Sequence, residues 1–252
     1  MKILMFDLEH GSQTLGSKQK IQDMFQYPVL EPGTWDQFIS VMGKLFVKEN
    51  YTEDIKIGEL TIPEEKQRTV LKNGTEVDAV VIDTFSELSK KYMRTLTDKD
   101  GKMKIQNWGQ LKNKLDTCLE FVSSIPGIVI CNCHSRLKDT DDGTKVLPYI
   151  DGSTKEDISK WFDFVFYTKN KTKAGGVNEY VWVTKRSEKY DHAKDRTDIL
   201  PAEIPQDYQI VMDAVKKAGF PSAKILIIGS PGSGKTKSLA TLTKKTKKEN
   251  KS

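Results

Sequence analysis

Gly229-Ser230-Pro231-Gly232-Ser233-Gly234-Lys235-Thr236 fits the spacing G-x-x-x-x-G-K-[ST]. Glycines at these positions let successive backbone N–H groups wrap an anionic group, and the lysine and hydroxyl suit its outer phosphates and Mg²⁺. The flanks agree: the apolar run Lys224–Ile228 reads as a buried strand, and a helix-prone segment follows to residue 242. The expectation is a nucleoside-triphosphate site. Its loop runs from Gly229 through Lys237, with Lys235 on the β and γ phosphates, Thr236 on Mg²⁺ and a helix N-terminus adding partial positive charge. Only sixteen residues follow Thr236, so the other parts of such a site are expected upstream.

Three upstream positions have suitable chemistry. Asp83 ends the apolar run Val77–Ile82 and could deliver a carboxylate to the Mg²⁺ shell, as the Walker B pattern does. Glu9, in Phe6-Asp7-Leu8-Glu9-His10-Gly11, could polarise an attacking water from a second strand end. His134 follows the strand Ile128–Cys133, where it could bond a γ-phosphate or merely face solvent. Cys131, Cys133 and His134 also allow a metal-site reading, although no second ligand pair stands at zinc spacing.

On these residues the chain resembles the RecA family. Phe6–His10 is similar to the segment whose glutamate activates water, Val81-Ile82-Asp83-Thr84 to the Walker B strand, and Val129–His134 to the strand ending in a polar phosphate sensor. More narrowly it resembles phage-encoded, AAA-type, RecA-like ATP-binding proteins associated with single-strand annealing. The shared features are a helix with Trp108-Gly109 and a late Lys194-Asp195-Arg196 motif. The resemblance implies ATP and Mg²⁺ as ligands, single-stranded DNA as partner and a homo-oligomer. In it Lys194 and Arg196 would be fingers reaching a neighbouring subunit's γ-phosphate; a solvated charge cluster is the plainer reading. That family runs phosphate loop, glutamate strand, Walker B, sensor, hairpin, K-D-R. Here the phosphate loop comes last, which implies a circular permutation or a phosphate-loop element swapped between subunits.

The elements that must position these groups follow from hydrophobic periodicity. Strands are expected at Lys2–Phe6, Val77–Ile82, Ile128–Cys133 and Lys224–Ile228, with a hairpin of Phe164–Thr168 and Tyr180–Thr184 turning at Gly175-Gly176. Helices are expected from Trp35 to Phe46 behind the cap Thr34, through Phe85–Leu96, from Ile105 to Ile125, briefly over Asp157–Trp161 and over 206–218. Residues 12–33 and 50–76 show no usable pattern, the second stretch ending at an Asn73-Gly74 turn, and 135–147 reads as a loop of mixed charge. Strands alternating with helices give an α/β fold: a RecA-like core of mostly parallel sheet flanked by helices with an added antiparallel hairpin. One domain over 1–242 and a lysine-rich tail over 243–252 are expected.

Composition sets the outer bounds. The 252 residues are 37% hydrophobic and 30% charged, so a globular core is feasible. No apolar run of membrane-spanning length occurs, and three cysteines argue against a disulfide framework, which suits a cytoplasmic location. A net charge of +5 permits a polyanionic partner; Arg136, Lys138, Lys145 and the tail lysines could contact one, with Asp139, Asp141 and Asp142 opposing. Three rivals remain. A permuted GTPase would use Asn113-Lys114-Leu115-Asp116, but that stretch falls mid-helix, and Asp98–Gly101 lacks a preceding strand. A small-molecule kinase would need an acceptor site and an arginine-rich lid. A scaffold that binds nucleotide without turnover would leave Glu9 idle.

Overall fold

The computed structural model describes residues 1–72, 74–141, 143–172, 176 and 178–243. The expected turns at Asn73 and Gly175, the acidic Asp142 and the tail lysines lie outside the described residues. In chain order the elements begin with β1 (Ile3–Asp7), a 3-10 turn (Gly11–Leu15), α1 (Lys18–Phe25), α2 (Trp35–Leu45), β2 (Phe46–Ile57) and β3 (Leu60–Leu71). Then come β4 (Ala79–Asp83), α3 (Phe85–Leu96), α4 (Ile105–Ser124), β5 (Ile128–Thr140), β6 (Gly143–Pro148), α5 (Thr154–Asp157) and a 3-10 turn (Ile158–Trp161). The rest are β7 (Phe164–Thr172), β8 (Asn178–Val183), β9 (Lys194–Asp195), β10 (Glu203–Pro205), α6 (Tyr208–Lys217), β11 (Ala223–Gly229), α7 (Lys235–Ser238) and a 3-10 turn (Leu239–Thr243).

The main sheet runs β1-β4-β5-β11-β7-β8-β10, with β6 on β5 and β9 on β7. The strands β1, β4, β5, β11 and β7 are mutually parallel, and β7–β8–β10 continue antiparallel. This is the expected α/β architecture, a mostly parallel sheet with an antiparallel addition. The central strands read as nearly continuous apolar runs because both faces are covered, with polar residues mainly toward their carboxyl ends. Leu4, Phe6, Val80, Ile82, Val129, Leu226 and Ile228 face the layer of α2, α3 and α4. The alternate residues Ile3, Met5, Val81, Ile130, Ile225 and Ile227 face α1, α6 and the last 3-10 turn. The strand β11, late in the chain, lies in the middle of the sheet between β5 and β7.

Four expectations are corrected. Residues 12–33 are not irregular: they hold the first 3-10 turn and α1, whose N-cap Ser17 accepts from the Lys20 N–H. Only Ile21 and Phe25 of α1 are buried, too few positions to write a period. Residues 50–76 contain most of a long hairpin, paired from Phe46↔Leu71 to Ile57↔Leu60. Both of its faces are largely exposed, so no alternation marks it. The stretch 135–147 is the extension of β5 paired with β6, not a loop. The helix after the phosphate loop is only four residues before tightening to 3-10, so the anion site rests on loop amides rather than a long helix.

Lys224, near the start of β11, is buried, and its ammonium donates to the carbonyls of Ile125 and Gly127. Burial, opposed by Asp163 and Cys131, pushes its pKa down to about 8. The folded chain therefore releases this proton before the unfolded chain does, and the lysine's penalty is present below pH 8 and lifts as pH rises toward 10.5. The expected penalty is about 3 kcal/mol. Denaturant unfolding of the parent and Lys224→Met across this range should show the parent gaining that amount relative to the variant. A constant difference would mean the ammonium is not desolvated.

Candidate nucleotide site

The carboxyl ends of parallel strands in an open α/β sheet form the usual crevice for ligands. Register decides which residues meet there: Asp7 lies opposite Asp83, Asp83 opposite Asn132, and His134 opposite Gly229. Above them a cleft of about 300 Å³ is lined by residues of the phosphate loop, Pro231 to Lys237, and by Glu9, Asp83, Thr84 and His134. Gly11 and Thr14 of the first 3-10 turn complete the wall.

The loop has the conformation its glycines permit. Gly232 and Gly234 have φ of 75° and 88°, the left-handed region that side chains disfavour. Gly229 is held by closeness instead: a Cβ there would stand 1.8 Å from Thr168 Oγ1 and 2.6 Å from Ser233 Oγ. Gln206, on the approach to α6, donates to the Ser233 carbonyl at 3.1 Å and braces the loop from outside. Inside, the buried Lys235 ammonium donates to the carbonyls of Gly229 and Ser230, both at 2.8 Å. Burial lowers its pKa, against the pull of Asp83, Cys133 and Glu9. Ser230 thus takes part through its backbone.

Thr236 Oγ1 donates to Asp83 Oδ2 at 2.6 Å. Asp83 is buried, and desolvation raises its pKa, countered by the hydrogen bond from Thr236 and by the neighbouring Asn132 amide, with Asp7 adding to the rise and Lys235 opposing it. A buried carboxylate and a hydroxyl at the mouth of a phosphate loop are hard oxygen donors of the kind Mg²⁺ takes alongside phosphate. The residues therefore fit the ion, and Thr236 and Asp83 would hold it.

Glu9 sits across the cleft. Its carboxylate accepts from Thr84 Oγ1 at 2.7 Å and lies 2.7 and 2.8 Å from His134 Nε2. Burial pushes its pKa up, but the bonds from His134 and Thr84, with the charges of His134 and Lys235, outweigh this and hold it below the usual carboxylate range. The buried Asp7 fixes the turn beneath it, accepting from the N–H groups of Glu9, Gly11 and Ser12 at 3.2, 3.0 and 2.8 Å. Ser86 Oγ accepts from the His134 N–H at 2.9 Å and so sets the other partner.

The structure thus brings together Glu9, Asp83, His134, Lys235, Thr236 and the loop. It does not bring Lys194 and Arg196 to this cleft. They pair with the first residues of β7, at the opposite end of the sheet, where Lys194 donates to the Phe162 carbonyl at 2.8 Å and Arg196 to Asp163 at 2.6 Å. Cys131 and Cys133 are buried in the core with their thiols pushed up by desolvation. No group of three or more His, Cys, Asp or Glu suited to a metal forms among the described residues. Sequence reading gave no role to Asp7, Thr84, Ser86, Thr168 or Gln206. Thr84 carried the clearest signal, directly following Asp83 in the strand-end motif.

A family model described as an AAA domain matches residues 1–197. The chain belongs to the AAA domain family. Membership makes it an AAA-type P-loop ATPase, a nucleotide-binding protein, in agreement with the cleft. The matched span of this AAA domain ends before β11, so the phosphate loop joins the site through sheet register rather than through the match. No curated protein and no solved structure matches the chain. Among the described residues no helix of the AAA domain is long and apolar enough to cross a membrane.

Proposed function

We propose that this protein is a RecA-like, Mg²⁺-dependent ATPase acting on single-stranded DNA, of the type phages use in recombination or replication. The observation carrying the ATPase reading is the meeting of Glu9, Asp83 and Lys235-Thr236, from three separate strands, around one cleft. Backbone amides of Gly232 to Thr236 and the Lys235 ammonium hold the phosphates. The ion, when bound at Thr236 and Asp83, neutralises charge developing between the outer phosphates. Glu9, kept ionised by its partners, orients the attacking water. His134 shares its Nε2 with Glu9 in the free chain; a γ-phosphate in reach competes for that nitrogen and so couples occupancy of the cleft to the freedom of Glu9.

The DNA reading rests on the family resemblance and on one surface. Along the β5 extension, Lys90 Nζ and Arg136 Cζ lie 4.7 and 6.0 Å from the ring centroid of Tyr149, which is partly exposed. Arg136 and Lys138 also help depress the pKa of Lys155, after burial, so these cations share one neighbourhood. An aromatic ring among cations suits a stacked base with its phosphates. The Tyr149 N–H donates to the His134 carbonyl at 2.6 Å, which links this surface to the cleft. The central position of β11 supports a permuted connectivity relative to the RecA order. Lys194 and Arg196, remote from their own cleft, suit a role in a neighbour's.

Steady-state hydrolysis of ATP and GTP, with and without single-stranded DNA, tests the reading. ATP-selective turnover stimulated by DNA is expected. Tyr149→Ala should keep the DNA-free rate and lose the stimulation, with DNA affinity falling ~5- to 150-fold. A parent that binds ATP without turnover would favour a nucleotide-dependent scaffold, and turnover indifferent to DNA would remove the DNA assignment.

A further inference from the structure

The β2–β3 hairpin is a projecting arm whose tip is apolar. Of its last three cross-strand pairs, Ile55↔Ile62 and Ile57↔Leu60 are apolar, and Lys56↔Thr61 between them points to the other face. Alternate residues of a strand share a face, and directly opposed residues share it too, so all four side chains form one patch. Ile57 and Leu60 are 63% and 61% exposed, and Ile55 and Ile62 are exposed as well. A patch of aliphatic side chains at the end of an otherwise charged ribbon needs a cover. The turn adds one negative charge, Glu59, beside it.

The chain also carries an apolar groove of about 280 Å³ between α2 and α4, at the base of the same arm. Trp35, Ile39, Met42, Gly43, Cys118 and Phe121 line it, with Lys48 and Lys114 against Glu120 for charge. The tip cannot fill its own groove. Lys48 lies on the groove and Ile57 at the tip of one continuous strand, which at ~3.3 Å per residue places them about 30 Å apart.

We infer that the arm tip of one copy docks in the α2–α4 groove of a second copy, with Ile57 and Leu60 seated on Ile39, Met42 and Phe121. Glu59 then meets the lysines at the rim. Each copy offers one tip and one groove, so the contact either closes reciprocally as a two-fold dimer or propagates head to tail into a ring or filament. The inference concerns assembly and does not depend on the DNA role.

Two variants separate the halves of the contact. Ile57→Asp with Leu60→Asp spoils the tip at exposed positions. Gly43→Leu fills the groove where an added Cβ meets nothing within 4 Å, so the helix is not strained. Sedimentation velocity over a concentration series is the readout, and retained ATP binding reports an intact fold. The parent should associate as concentration rises, each variant alone should stay monomeric, and an equimolar mixture should recover a dimer, because one intact tip then meets one intact groove. A parent that is monomeric throughout would overturn the inference and leave the tip to a different partner. Variants that associate like the parent, or a mixture that stays monomeric while the parent assembles, would overturn it equally.

Discussion

Glu9→Gln is expected to lower ATP turnover by ~10²- to 10⁴-fold while ATP binding persists. The amide keeps the size of the carboxylate and can still accept from Thr84, so the turn fixed by Asp7 should survive. What is lost is the negative charge that, in the proposed function, orients and polarises water, an effect confined to the reacting state. Lys235→Ala should behave differently. Its ammonium is the group aimed into the loop, so its removal should weaken ATP binding itself along with turnover. Equilibrium binding beside single-turnover hydrolysis distinguishes the two. Glu9→Gln turning over like the parent would show that Glu9 is a structural partner of His134 and no more.

The lowered pKa of Glu9 gives that pair a direction in pH. A carboxylate whose folded-state pKa lies below its ordinary value stabilises the folded state above that ordinary value and loses the contribution as pH falls through the folded one. Activity that needs ionised Glu9 therefore persists into mildly acidic solution further than an unperturbed glutamate would allow. Burial works against this, and the bonds from His134 and Thr84, helped by the charges of His134 and Lys235, reverse it.

The sequence showed most clearly what is written in consecutive residues. The phosphate loop is a local pattern, and Asp83 and His134 follow unmistakable apolar runs, so strand ends could be named before any sheet order was known. The central seat of β11 was not legible, because strand neighbours depend on packing between distant segments. The arm escaped for a different reason. A two-stranded ribbon exposed on both faces has no buried side to impose a period of two, and its apolar residues gather mainly at its base and its tip. The supporting groups escaped too: Asp7, Ser86 and Gln206 act on backbone atoms brought close only by the fold. The assignment of Lys194 and Arg196 came from resemblance alone, and the fold sets them at the far end of the sheet.

Gly229→Ala is expected to abolish ATP binding, although the position makes no demand for a left-handed backbone. The reason is space. A Cβ at Gly229 would stand 1.8 Å from Thr168 Oγ1 and 2.8 Å from Thr168 Cβ. Rotating the Thr168 side chain relieves the first contact but not the second, since the Cβ is fixed by the backbone of β7. The β11 end must therefore shift away from β7, carrying with it the Gly229 carbonyl that anchors Lys235. Overpacking of this kind costs about 1–3 kcal/mol of stability. The larger effect falls on the loop, whose amides have to converge on one phosphate. Thr168→Gly removes two of the three nearest atoms, and the third, Ser233 Oγ at 2.6 Å, is a hydroxyl that can rotate away. The double variant Gly229→Ala with Thr168→Gly should then recover binding lost by the single one, measured by titration with a fluorescent ATP analogue beside thermal unfolding. Gly229→Ala binding ATP as tightly as the parent would show that the loop does not depend on this close approach. Failure of the double variant to rescue would place the clash elsewhere than at Thr168.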